Sequence, residues 1–113
     1  MHEVALATAL IDLIREQTAS ARARRVTRLV LEIGVFSHVD AHALRFAIEA
    51  AALGGPAEGA TLEIREPEGT AYCLDCEGSM AISTREGTCP RCGGVKLLVR
   101  GGNEMRLKEM EVV

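Results

Sequence analysis

Between Val4 and Ser20, apolar residues recur at Val4, Ala7, Leu10, Ile11 and Ile14, a spacing that gathers them on one face of a helix. Asp12, Arg15, Glu16 and Gln17 fall mostly elsewhere on the circumference, so the segment predicts an amphipathic helix. From Arg25 to Ile33 the period becomes two. Leu29, Leu31 and Ile33 alternate with Arg28, Val30 and Glu32, and Gly34 closes the run, which predicts a strand. A second helix is predicted from Ala41, carrying Leu44, Ala47, Ile48 and Ala51 on one face and stopping at Gly54-Gly55-Pro56. Asp40 stands where its carboxylate caps the first turn. Thr61 to Glu66 alternates again through Leu62 and Ile64 until Pro67 and Gly69 break the pattern. The run Asn103 to Val113 is also strand-like, with Met105 and Leu107 on one side and Glu104, Arg106 and Lys108 on the other.

The stretch between these last two runs has few large apolar side chains. The expected fold is therefore α+β: a small two-helix, three-stranded domain formed by residues 1–68 plus 103–113, with an inserted zinc-ribbon-like, four-cysteine domain at 69–102. Two glycine-bearing linkers would join them, and the last strand would rejoin the first sheet. Aromatic residues are 3% of the 113, so the core must be aliphatic. No apolar run approaches the length that spans a bilayer, and the N-terminus lacks a signal-peptide pattern, so the expected location is cytoplasmic.

Four cysteines, all that the chain has, form two pairs, Cys73-Leu74-Asp75-Cys76 and Cys89-Pro90-Arg91-Cys92. A two-residue gap lets a tight turn aim both sulfurs of a pair at one point, and the intervening residues allow a hairpin to return the chain. Four soft thiolates suit Zn²⁺, which asks only for tetrahedral geometry; two disulfides or a single iron are the alternatives. Pro90 fixes one backbone angle of the second knuckle, and Gly93 and Gly94 tolerate angles that bring N–H groups towards sulfur. Four protein ligands leave no position for water or substrate, so the expected role is structural. No nucleophile with a nearby base can be argued, and an enzyme is not expected.

The formal net charge is -3; four thiolates add -4 and one divalent ion +2, which takes the loaded form to -5. Polyanionic ligands do not suit that balance. Arg22, Arg24, Arg25 and Arg28 have no interleaved aromatics and read as a solvated helix-to-strand junction in place of a nucleic-acid patch.

The opening Met1-His2-Glu3 carries a second metal possibility. A free α-amine, the amide nitrogen of residue two and the His2 imidazole can chelate one ion together, and nitrogen-rich tetragonal sets favour nickel or copper over zinc. An exposed terminal histidine is the plainer alternative. His38, Asp40 and His42 also crowd into five residues, but Asp40 as a helix cap accounts for that spacing without a metal.

These features combine into a resemblance. The Met1-His2-Glu3 start, Glu32-Ile33-Gly34, Asp40 before Phe46-Ala47-Ile48-Glu49, the two cysteine pairs and the closing Gly102-Asn103-Glu104-Met105-Arg106-Leu107 are similar to the HypA/HybF family of nickel metallochaperones. Ile48 stands where a second aromatic is common in that family. The resemblance implies Ni²⁺ as cargo for maturation of NiFe hydrogenase, with a HypB-type GTPase and the hydrogenase large subunit as partners. It also implies His2 as principal nickel ligand, with the Met1 amine and nearby backbone nitrogens completing the set. Glu3 and Asp40 would be acidic neighbours, and Cys73, Cys76, Cys89 and Cys92 would hold structural Zn²⁺. The rival is a zinc-ribbon module acting on nucleic acid or a protein complex. It would need a basic or aromatic surface that Glu77, Met80, Ile82, Arg85 and Glu86 between the pairs do not supply.

Overall fold

A computed structural model describes residues 2–84 and 87–113, so Met1, Arg85 and Glu86, named above, lie outside the described residues. Two helices, α1 (His2–Ser20) and α2 (Ala41–Ala51), accompany six strands: β1 (Val26–Ile33), β2 (Thr61–Arg65), β3 (Gly69–Cys73), β4 (Gly78–Ile82), β5 (Leu97–Gly101) and β6 (Met105–Val112). The strands form two three-stranded sheets, in the orders β2-β1-β6 and β4-β3-β5. No helix among the described residues is long and apolar enough to cross a membrane.

The chain divides into two compact units. One comprises Met1–Leu31, Val39–Ile64 and Arg106–Val113; the other comprises Glu32–His38 and Arg65–Met105.

In the first unit the helical period buries Ala7, Ile11 and Ile14 of α1, and α1 packs against α2, whose Leu44 and Ile48 are also buried. The Asp40 carboxylate accepts from the backbone N–H groups of His42 (2.9 Å) and Ala43 (3.1 Å), the N-cap that its position predicts. Arg45 donates to the Leu62 carbonyl at 2.7 Å and ties α2 to β2. Val113 accepts from the Arg24 N–H and donates to the Arg25 carbonyl, while the Gly34 N–H reaches the Glu104 carbonyl. Residue numbers thus fall along β6 as they rise along β1, so β6 closes the first sheet as an antiparallel strand beside β1. Arg28 leaves the arginine run to bridge the sheet, meeting Glu63 of β2 at 3.3 Å and Glu109 and Glu111 of β6 at 3.1 and 2.9 Å. The Glu111 hydrogen bond, foremost among these carboxylate contacts, raises the Arg28 pKa. Strand β1 departs from simple alternation: Val30 is buried along with Leu29 and Leu31, and Glu32 is buried too.

In the second unit β3 is central and antiparallel to both neighbours, with Ala71 opposite Met80 of β4 and Val99 of β5. Phe36, Ala71 and Ile82 form its small core, against which Met80, Leu97 and Val99 pack. The glycines of the two expected linkers are tightly packed. A Cβ on Gly69 would overlap the Phe36 ring, and one on Gly102 would lie 2.6 Å from that ring, so Phe36 is seated against two bare backbones. The Phe36 N–H donates to the Gly102 carbonyl (2.7 Å) and Val35 to that of Pro67 (3.1 Å), which holds this turn in place. Close packing, with no room for a side chain, explains those glycines.

Candidate metal centre

The first knuckle begins at a strand end and the second lies in the connection between β4 and β5, and both turn sharply after the second cysteine. Cys73 ends β3, and the residue following each second cysteine has positive φ: Glu77 at 53° and Gly93 at 73°. These turns bring backbone donors onto sulfur, with the Cys76, Arg91 and Gly94 N–H groups each 3.4 Å from the sulfurs of Cys73, Cys89 and Cys92. The four Sγ atoms lie within 4.8 Å of one another. Cys73 and Cys92 approach to 3.8 Å, and Cys76 and Cys89 to 3.7 Å.

Those separations discriminate between the alternatives. A disulfide needs sulfurs about 2.05 Å apart, and all four cysteines are free. A tetrahedron with metal–sulfur bonds of about 2.3 Å has sulfur–sulfur edges of about 3.8 Å. The cage therefore fits a single tetrahedral ion. Its ionisation points the same way. Backbone hydrogen bonds, first from Cys92 and also from Arg91, lower the Cys89 pKa to about 7 against the opposing effect of desolvation. The Cys92 and Cys89 side chains, followed by desolvation, push Cys76 up to about 12. Four sulfurs this close cannot all carry charge near neutrality without a cation among them.

The N-terminal residues assemble differently. His2 is exposed and opens α1. The Asp40 N–H donates to the Glu3 carboxylate at 3.1 Å and is the largest cause holding the Glu3 pKa below its ordinary value. Sequence reasoning named both residues as neighbours of His2 but had no means to find this bond. Asp40's own carboxylate is engaged at the α2 cap. His38, with φ of 59°, belongs to the other compact unit, whereas His42 lies in the first turn of α2. Among the described residues, the four cysteines are the one cluster of three or more His, Cys, Asp or Glu side chains able to hold a metal ion.

The family model described as hydrogenase/urease nickel incorporation, metallochaperone, hypA matches residues 1–112. The chain belongs to the HypA family of nickel metallochaperones for hydrogenase maturation. It is 46% identical over 112 residues to the hydrogenase maturation factor HypA of Azotobacter chroococcum mcd 1, covering 99% of each chain. Identity to the HypA of Xanthobacter autotrophicus (strain ATCC BAA-1158 / Py2) is 40% over 113 residues, covering 100% of both. The fold is similar to the solution structure of the Ni metallochaperone HypA from Helicobacter pylori, with a TM-score of 0.70, 26% identity and coverage of 98% and 97%. A second HypA solution structure matches with a TM-score of 0.75 at 28% identity, covering 100% and 97%. The family match runs through both units, so the cysteine cage belongs to a metallochaperone and is not a free-standing ribbon.

Proposed function

We propose that this chain binds Ni²⁺ at its N-terminus and delivers it to a maturing NiFe hydrogenase, while a resident Zn²⁺ holds the second unit in shape. Cys73, Cys76, Cys89 and Cys92 are the zinc ligands in this reading; the observation that carries it is their sulfur separations of 3.7 and 3.8 Å. His2 supplies the imidazole for nickel, and the Met1 amine and the backbone nitrogens of His2 and Glu3 complete the set. Two features support that set. His2 is exposed, and because α1 begins there, the N–H groups of its first turn have no intrahelical acceptors. The Glu3 carboxylate, tied to the Asp40 N–H, and the Asp40 carboxylate are acidic neighbours of the cargo site.

The functional division that follows gives nickel to residues 1–68 plus 103–113 and zinc to residues 69–102. The protein is a carrier and not a catalyst, since a closed four-thiolate shell has no open position and the nickel leaves as cargo. Its partners are a HypB-type GTPase and the hydrogenase large subunit, and it works in the cytoplasm. Metal analysis of untagged protein after nickel exposure tests the whole reading. One zinc and one nickel per chain are expected, with nickel lost and zinc kept in His2→Ala. Nickel retained in His2→Ala would move the cargo site elsewhere. Acid protonates imidazole, so calorimetric nickel affinity is expected to fall on acidification, and an unchanged affinity would remove His2 from the ligand set. Asp40→Asn keeps a capping side chain while removing the charge; unaltered nickel binding and delivery there would end any electrostatic role for Asp40.

A further inference from the structure

The four cysteines of the cage are unequally exposed. Cys73 and Cys89 are buried, Cys76 is half-buried and Cys92 is exposed. Protein encloses the first two. Cys73 ends the central strand, with Gly78 of β4 on one side and Leu97 of β5 on the other, and the Met80 thioether lies 3.4 Å from the Cys89 sulfur. Cys92 is followed by Gly93 and Gly94, which have no side chains to cover it; a Gly94 Cβ would lie 3.2 Å from the Cys92 sulfur and 2.8 Å from the Asp75 carboxylate, which flanks that side. Two sulfur pairs join opposite knuckles at short range, Cys73 with Cys92 at 3.8 Å and Cys76 with Cys89 at 3.7 Å.

We propose that Cys92 is the reactive door of the zinc cage: electrophiles attack it first, and a peroxide links it to Cys73 and releases the metal. This rests on the zinc reading above. In a loaded cage all four sulfurs have thiolate character, so exposure is left to select the site of attack. Cys76 is the nearest rival, being half-buried and accepting no backbone N–H among the described residues, whereas Cys92 accepts one from Gly94 at 3.4 Å. Exposure of the whole residue is what separates Cys92 from Cys76, and the Asp75 carboxylate on the Gly94 side of the turn leaves uncharged reagents as the ones to reach it.

The oxidation balances with peroxide as the two-electron oxidant. The Cys92 thiolate attacks one peroxide oxygen, the O–O bond breaks, hydroxide departs and Cys92 becomes a sulfenic acid. The Cys73 thiolate, 3.8 Å away, then displaces a second hydroxide from that sulfur and the S–S bond forms. The two thiolates have supplied the two electrons, and two of the four ligands are gone. Cys76 and Cys89, 3.7 Å apart, are placed to form the second link in the same way with a second peroxide.

The test uses the full, untagged chain loaded with zinc, and metal content is measured first. Absence of zinc would overturn the zinc assignment itself. With one zinc bound, limiting N-ethylmaleimide followed by peptide mass mapping is expected to label Cys92 at least about tenfold faster than Cys73 or Cys89. Stoichiometric hydrogen peroxide is expected to release zinc together with a Cys73–Cys92 disulfide. A first adduct on Cys76, no labelling at all, or disulfides within the knuckles (Cys73–Cys76 or Cys89–Cys92) would each overturn the proposal while leaving the zinc assignment standing.

Discussion

The unit containing α1 and α2 buries Ile11, Ile14, Leu29, Val30, Leu31 and Leu44, whereas the cysteine-bearing unit has a core of Phe36, Ala71 and Ile82. Burial of one large aliphatic side chain contributes about 1.5–3 kcal/mol, so the first unit can offset its chain entropy by ordinary packing. The second has one ring, one methyl and one isoleucine buried, with Met80, Leu97 and Val99 only partly covered around them, so packing contributes less there. It combines a metal cage with an aromatic pressed onto two glycines, and both devices depend on contacts between residues distant in sequence. The difference predicts that the two units respond to different insults.

Removing the metal should break the comparison most sharply. Structural zinc contributes folding free energy on the order of 10 kcal/mol in small metal-dependent modules. A chelator is therefore expected to abolish amide protection in β3, β4 and β5 while the helical circular dichroism largely persists, because both helices belong to the other unit. Simultaneous loss of both signals would mean that the units are not separately stable.

Phe36→Ala comes next, with an expected cost of about 3–5 kcal/mol for deleting a core aromatic. Denaturant titration of the zinc-loaded protein should show this loss, and hydrogen exchange should localise it to the β3–β5 sheet. Phe46→Ala is the control, since that ring is 75% exposed on α2 and its removal should change stability by less than about 0.5 kcal/mol. Equal effects from the two phenylalanines would discard the claim that one ring organises the cysteine unit.

Acidification probes the first unit at a finer scale. The Glu3 pKa is lowered, so the Asp40-to-Glu3 bond is fully present above the ordinary carboxylate range and is lost as pH falls through the depressed value. In an NMR titration the Asp40 amide resonance should move with a midpoint below that of a free glutamate and should stop responding in Glu3→Gln. A midpoint at or above the free value would show that the bond does not hold in solution.

The smallest effect is expected at Glu77, which has φ of 53° at the place where the second knuckle uses Gly93. Glu77→Gly should stabilise the zinc-loaded unit by roughly 0.5–1 kcal/mol, because glycine carries no Cβ penalty in the left-handed region. A lower unfolding midpoint for this variant would mean that the Glu77 side chain itself contributes to the first knuckle.

Much of this was legible in local pattern. Helix and strand periods located α1, β1, α2, β2 and β6 to within a few residues, since each has one apolar face that its spacing reveals. The cysteine spacing exposed the cage because metal geometry constrains sequence directly. Strands β3, β4 and β5 escaped as separate elements, since their short alternations lie in a stretch read for its cysteines and glycines. Phe36 escaped as well: a lone aromatic after a strand gives no sign of which backbone it will meet.

The amino-acid sequence by itself determined the elements of the larger unit, the aliphatic character of its core, the cap at Asp40 and the pairing of the four cysteines, because each depends on residues near in sequence or on side-chain chemistry alone. Only the tertiary structure decided that Gly69 and Gly102 pack on a ring, that Arg28 answers three carboxylates, that Glu3 reaches Asp40 and that Cys92 is the one exposed cysteine of the cage. Each of those facts is a distance or an exposure created when remote segments meet, and no local period encodes it.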